Sequence, residues 1–254
     1  MGFDSEMDAS LPSAGILALL GLGLIFGLKH ATEVDHVVAV STIVSQHRNL
    51  LRSAMVGALW GAGHTASLLL IGAIVLSLKV TIPEAVSNWL EFCVALMILG
   101  LGASALWRAL RKGREVHVHK HSHDGVSHVH VHFHEATTRH AQGGALPHAH
   151  AVSSIGIKPL LIGTMHGLAG SSALTLLVLT QIKSAWLGLL YLMIFGAGSI
   201  IGMLLMSGLI GVPFALSSRN LSVLHHRLQA AAAGLSIAFG LWYVYQTGLA
   251  SGLF

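Results

Sequence analysis

The chain has 254 residues, 54% hydrophobic and only 9% charged, with a formal net charge of +4 and a mean hydropathy of +0.73. Soluble domains carry about 25% charged residues, so the composition excludes one and points to a bundle of membrane-spanning helices. The single cysteine, Cys93, excludes an intrachain disulfide and argues against a dithiol relay or a cysteine-based zinc site, and basic residues gathered beside helix ends are not a nucleic-acid-binding pattern.

Residues 1–11 carry Asp4, Glu6 and Asp8 and lack the basic start of a signal peptide. Apolar runs follow at 13–46, 50–78, 86–108, 156–181, 185–217 and 223–249, several of them longer than the ~20 residues that a straight span needs. As one helix the first run would extend about 50 Å at 1.5 Å per residue. It is therefore predicted to break, with Gly27 as the expected place. The expected fold is an all-α integral membrane protein of about six transmembrane helices, or seven to eight segments if the break divides the first.

Inside that first run stands Lys29-His30-Ala31-Thr32-Glu33-Val34-Asp35-His36. Each ionisable side chain near a bilayer centre costs roughly 2.5–3.5 kcal/mol on insertion scales, so such a group marks a functional site. Imidazole with carboxylate suits a borderline divalent metal. On a regular helix His30 and His36 would point about 120° apart, so the ligands converge only if the chain unwinds near 27–32, where irregular backbone is tolerated beside a cavity. His30, Asp35 and His36 are the expected metal ligands. Glu33 is expected either to orient a ligand or to stand where the ion enters, and Lys29 to snorkel toward the interface. The competing reading is an interfacial segment with its charges among the headgroups. His64, in Gly61-Ala62-Gly63-His64-Thr65, and His166, in Met165-His166-Gly167-Leu168-Ala169-Gly170, lie deep in the second and fourth runs and weaken that reading.

Between the third and fourth runs the composition changes. Eleven of the eighteen histidines fall between 117 and 150, among them His117, His119, His121, His123, His128, His130, His132 and His134. A flexible tract so rich in imidazole is a low-specificity metal-capturing segment, and its period-two spacing would place each run on one edge if extended. The alternatives are a solvated low-complexity loop and a pH sensor.

The second half resembles the first. Phe26-Gly27-Leu28-Lys29-His30 aligns with Ile162-Gly163-Thr164-Met165-His166, and Trp60-Gly61-Ala62-Gly63-His64 with Phe195-Gly196-Ala197-Gly198-Ser199, at offsets of 136 and 135 residues. Three helices per half make the repeat inverted, an architecture that places a substrate site at the midplane on discontinuous helices. The expected organisation is a first repeat at 1–108, a histidine-rich connection at 109–155 and a second repeat at 156–254. With six spans, eleven Lys and Arg residues fall on one side and only Lys79 and Lys183 on the other, Lys29 lying within the first run. The positive-inside rule then puts the connection in the cytoplasm and both termini outside.

His30-x-x-x-x-Asp35-His36 resembles the HX4DH signature of the nickel/cobalt transporter family, and Gly63-His64-Thr65 resembles that family's Gly-His-(Ser/Thr/Asp) motif. The length, the six-span plan and His166-Gly167-Leu168-Ala169-Gly170-Ser171 are most similar to its shorter urease-accessory-type (UreH-like) permeases. Lys29 stands where the fuller motif has arginine, Ala31-Thr32-Glu33-Val34 departs from its Ala-(Val/Phe)-Asp-Ala, and the chain lacks the usual eight spans. The resemblance implies secondary transport of Ni²⁺ or Co²⁺, with His30, Asp35 and His36 binding metal and His64 as an accessory ligand. It implies no prosthetic group. The partners expected are the divalent ion, membrane lipid and a cytoplasmic metallochaperone or nickel-enzyme maturation factor. Import is the favoured direction, with efflux fed by the histidine tract and a membrane-anchored metal sensor or storage protein as alternatives. An enzyme is not expected: a zinc hydrolase would want HExxH or comparable ligands, and neither HExxH nor a Walker A sequence occurs.

Overall fold

A computed structural model describes residues 13–80, 82–112, 116–123, 126–133, 156–182 and 184–253. Seven helices carry the fold: α1 (Ser13–His30), α2 (Val34–Val44), α3 (Leu50–Leu78), α4 (Glu84–Lys112), α5 (Lys158–Gln181), α6 (Ala185–Asn220) and α7 (Ser222–Val244), the last running into a π-helical turn, Tyr245–Ala250. Asn49 starts α3 by accepting from the amides of Leu51 and Arg52, and Ser184 starts α6 by accepting from Leu187. Both are side-chain caps of the kind that satisfy otherwise orphaned N–H groups.

Four helical stretches are long and apolar enough to cross a membrane: Leu50–Leu78, Glu84–Arg111, Ala185–Ser217 and Val223–Ala250. A fifth forms if α1 and α2, bent by 53° at their junction, count as one span. The remaining expected span, 156–181, is helical as α5. The bundle is polar inside and apolar outside. Ser53, Ser67, Ser199, Ser207 and Ser236 are buried, while Leu70, Leu205, Leu209 and Leu235 face outward. That is the inverse of a soluble core and suits a lipid solvent.

At the centre α3 packs against α6, α1 lies on α6, α5 lies on α3, and α4 pairs with α7. Two of these crossings are built alike. Gly27 of α1 lies against the Phe195 carbonyl of α6, and Gly163 of α5 lies against the Trp60 carbonyl of α3. Gly63 of α3 lies against Leu160 and Thr164 of α5, and Gly198 of α6 against Leu24 and Leu28 of α1. A Cβ at any of the four would collide with the facing backbone, so the close approach requires glycine.

The departure from an all-helical chain, among the described residues, lies in the histidine-rich connection. Val116–His123 and Val126–Phe133 pair as an antiparallel hairpin, β1–β2, whose register sets His117 opposite His132, His119 opposite His130 and His121 opposite His128. His134, His140, His148 and His150 lie outside the described residues.

Lys79 ends α3 in the left-handed conformation, φ 52°. A side chain there costs roughly 1–2 kcal/mol that glycine avoids. Lys79→Gly is therefore expected to stabilise the chain by about 1 kcal/mol, read as a raised midpoint of thermal unfolding in detergent.

Candidate metal centre

The first run breaks at residues 31–33, not at Gly27. Gly27 remains helical because its lack of a side chain serves the contact with α6. The turn closes through the Thr32 and Glu33 amides donating to the carbonyls of Lys29 and His30, at 2.9 and 3.1 Å. The Thr32 hydroxyl also donates to Lys29 O, at 2.6 Å. Glu33 then adopts an extended conformation and α2 begins. His30 thus ends one helix, and Asp35 and His36 open the next.

The break brings together what a straight helix would splay. The His30 and His36 rings have centroids 4.6 Å apart. His64, midway along α3, places its Nε2 3.1 Å from His30 Nε2. His166 of α5 places its Nε2 2.9 Å from Asp35 Oδ2, and its ring centroid lies 4.6 Å from that of His36. His36 Nδ1 stands 3.3 Å from Asp35 Oδ1. Glu33 reaches in from the surface, its Oε1 3.0 Å from His30 Nδ1 and its Oε2 4.0 Å from His36 Nδ1.

Burial grades across the group. The Glu33 side chain is 55% exposed, His30 11% and His36 3%; His64 and His166 are also buried. Five ring nitrogens here are buried without a hydrogen bond: both of His36, Nδ1 of His64 and of His166, and Nε1 of Trp60. An unsatisfied buried donor or acceptor costs about 1–3 kcal/mol, and such a concentration in one place marks a ligand-directed site.

Two sets of donors have the compactness of a coordination sphere. His30, His36 and His64 form one, and Asp35, His36 and His166 the other, with the ligand atoms of each set within 4.8 Å of one another. Donors on opposite sides of an ion at about 2.1 Å lie about 4.2 Å apart, so either set closes on an ion with small shifts.

The sequence resembles known proteins along nearly its whole length. The urease accessory protein UreH of Bacillus sp. (strain TB-90) is 40% identical over 239 residues, 94% of this chain and 96% of that one. The chain belongs to the UreH family. Two Arabidopsis thaliana proteins are also similar. Chloroplast protein FOR GROWTH AND FERTILITY 1 is 25% identical over 233 residues, 91% of this chain and 60% of that protein. Chloroplast protein FOR GROWTH AND FERTILITY 2 is 34% identical over 96 residues, 37% of this chain and 26% of that protein. No family model matches, and no solved structure does. As a member of a urease accessory family the chain is not an enzyme.

In this UreH-family chain all six residues singled out in the membrane runs, His30, Glu33, Asp35, His36, His64 and His166, meet at one place. Sequence reasoning missed Trp60, whose ring lies 5.9 Å from that of His36 and 5.3 Å from that of His166, and Phe195, 5.5 Å from the His30 ring. These two aromatics wall the site. They are also aligned partners in the two matched segments, the one signal that would have found them.

Proposed function

We propose that the chain is a secondary transporter that moves Ni²⁺, with Co²⁺ as a second substrate, across the cytoplasmic membrane through the His/Asp cluster. The observation that carries this reading is the convergence of four imidazoles and the Asp35 carboxylate at a helix break inside an apolar bundle. A relative named as a urease accessory protein adds support for nickel. An arriving ion exchanges water for imidazole nitrogen, and Asp35 offsets part of its charge where hydrocarbon cannot. Glu33, exposed and bonded to His30, stands at the mouth. Import is the favoured direction because an inside-negative potential draws cations inward.

Six spans in two inverted three-helix repeats fit this function, with both termini outside and the histidine hairpin in the cytoplasm, where it receives or supplies metal and meets a metallochaperone or maturation factor. The matched glycine crossings of α1 on α6 and α5 on α3 support the repeat, because their members stand 135 or 136 residues apart. The two repeats would rock about the site to give alternating access. Efflux is the second reading, favoured by the histidine pairs of the hairpin.

⁶³Ni²⁺ accumulation in nickel-depleted cells tests the proposal. The intact chain should raise cell nickel, and Asp35→Asn at matched expression should not. Lowered cell nickel that Asp35→Asn abolishes reverses the direction and keeps the site. Equal behaviour of the two chains removes the cluster from the transport path. Replacing the eleven histidines of 117–150 with serine should leave maximal uptake nearly intact and weaken it chiefly at low external nickel. Complete loss of function in that variant would favour the sensor or storage reading.

A further inference from the structure

The two donor sets share one residue, His36, and they differ in chemistry. His30, His36 and His64 offer three neutral nitrogens; Asp35, His36 and His166 offer two nitrogens and a carboxylate oxygen. The first set adjoins the exposed carboxylate of Glu33 through His30. The second lies beyond His36, with its imidazoles against Trp60. In each set the two members other than His36 already touch, His30 with His64 at 3.1 Å and Asp35 with His166 at 2.9 Å.

We infer that these are two successive stations for a single ion, with His36 as the ligand common to both. This rests on the permease reading above and adds a route to it. The ion passes from Glu33 to the all-imidazole station. It then turns about His36 into the station that holds the carboxylate, exchanging two ligands while keeping one. The centroid of the His36 ring is 4.6 Å from those of both His30 and His166, so the step needs side-chain rotation and no movement of a helix. A station without the ion is held closed by its own hydrogen bond, His30 to His64 or His166 to Asp35. The stations are occupied in turn, because two divalent ions sharing one imidazole repel about four times as strongly as two unit charges at that distance. The carboxylate gives the second station the stronger pull on a cation, and the all-imidazole station selects against hard ions such as Mg²⁺ and Ca²⁺, which prefer oxygen.

The test uses the full-length chain in detergent, with serine in place of the eleven histidines of 117–150, and Co²⁺ as the spectroscopic probe. One Co²⁺ per chain is expected at saturation. His166→Ala should keep one ion on nitrogen donors alone, and His64→Ala should keep one with a carboxylate oxygen. The two are distinguished by their visible spectra and by X-ray absorption. Each should bind within about 100-fold of the parent, yet neither should support ⁶³Ni²⁺ uptake when made in cells. Asparagine at 64 and at 166 gives a second pair of variants with little change in volume. If His64 and His166 variants both lose the ion altogether, the stations are one undivided site and the inference fails. Two Co²⁺ ions per chain would also overturn it, by making the stations independent. If the parent binds no Co²⁺, or His36→Ala binds it undiminished, the permease site itself is wrong, a failure distinct from that of the relay.

Discussion

Nickel uptake by the His36→Ala chain is expected to fall to that of cells lacking the protein. His36 is the one residue common to both donor sets, so alanine leaves each with two donors, too few to replace the hydration of a divalent ion at membrane depth. The other ligands are each confined to one set. The fold should tolerate the change, because neither His36 nitrogen makes a hydrogen bond and its removal therefore strands no partner. What is lost is packing beside Trp60, and His36→Gln restores most of that volume. Both variants should reach the membrane in normal amounts, run as single species in detergent and fail to accumulate ⁶³Ni²⁺. Uptake by either variant at the rate of the intact chain would place the transport path elsewhere.

The cluster was legible because charge in an apolar run is expensive and so conspicuous. His30, Glu33, Asp35 and His36 announced themselves within eight residues, and His64 and His166 by depth alone. Two other features were hidden for one physical reason: each depends on what another segment places opposite. Gly27 looks like a helix breaker in sequence, but whether a glycine bends a helix or admits a neighbour is decided by that neighbour, here the Phe195 carbonyl. The break falls instead at Ala31, Thr32 and Glu33, a triplet with no breaking residue. The division of the ligands into two sets around His36 is likewise a product of where α3 and α5 cross α1 and α2. Period-two histidines suggested extended backbone; they did not reveal that one run pairs with the other in a register that matches histidine to histidine.

Valine at Gly27 or at Gly163 is expected to destroy the folded bundle, and to do so to the same degree. At each position a side chain would meet backbone of the helix across the crossing, Phe195 in one case and Trp60 in the other. Backbone cannot yield as the end of a flexible side chain can. The helices must separate, and a right-sized hydrophobic addition in a tight core already costs about 1–3 kcal/mol when only side chains are displaced. The two crossings fix different parts of the site. The α1–α6 contact sets the position of His30, and the α5–α3 contact sets His166 relative to Trp60 and His64. Gly27→Val and Gly163→Val should therefore both lower the yield of monodisperse protein and abolish uptake in whatever remains. Gly21→Ala in α1 and Gly100→Ala in α4 are the controls, since a Cβ at either meets nothing within 4 Å. Exchanging glycine for alanine inside a helix is favourable by about 1 kcal/mol, so these two should fold at least as well as the parent. Size-exclusion profiles of the four variants decide the matter. Aggregation by only one of the valine variants would mean that the two halves do not carry equal weight, and would count against a repeat whose crossings are equivalent.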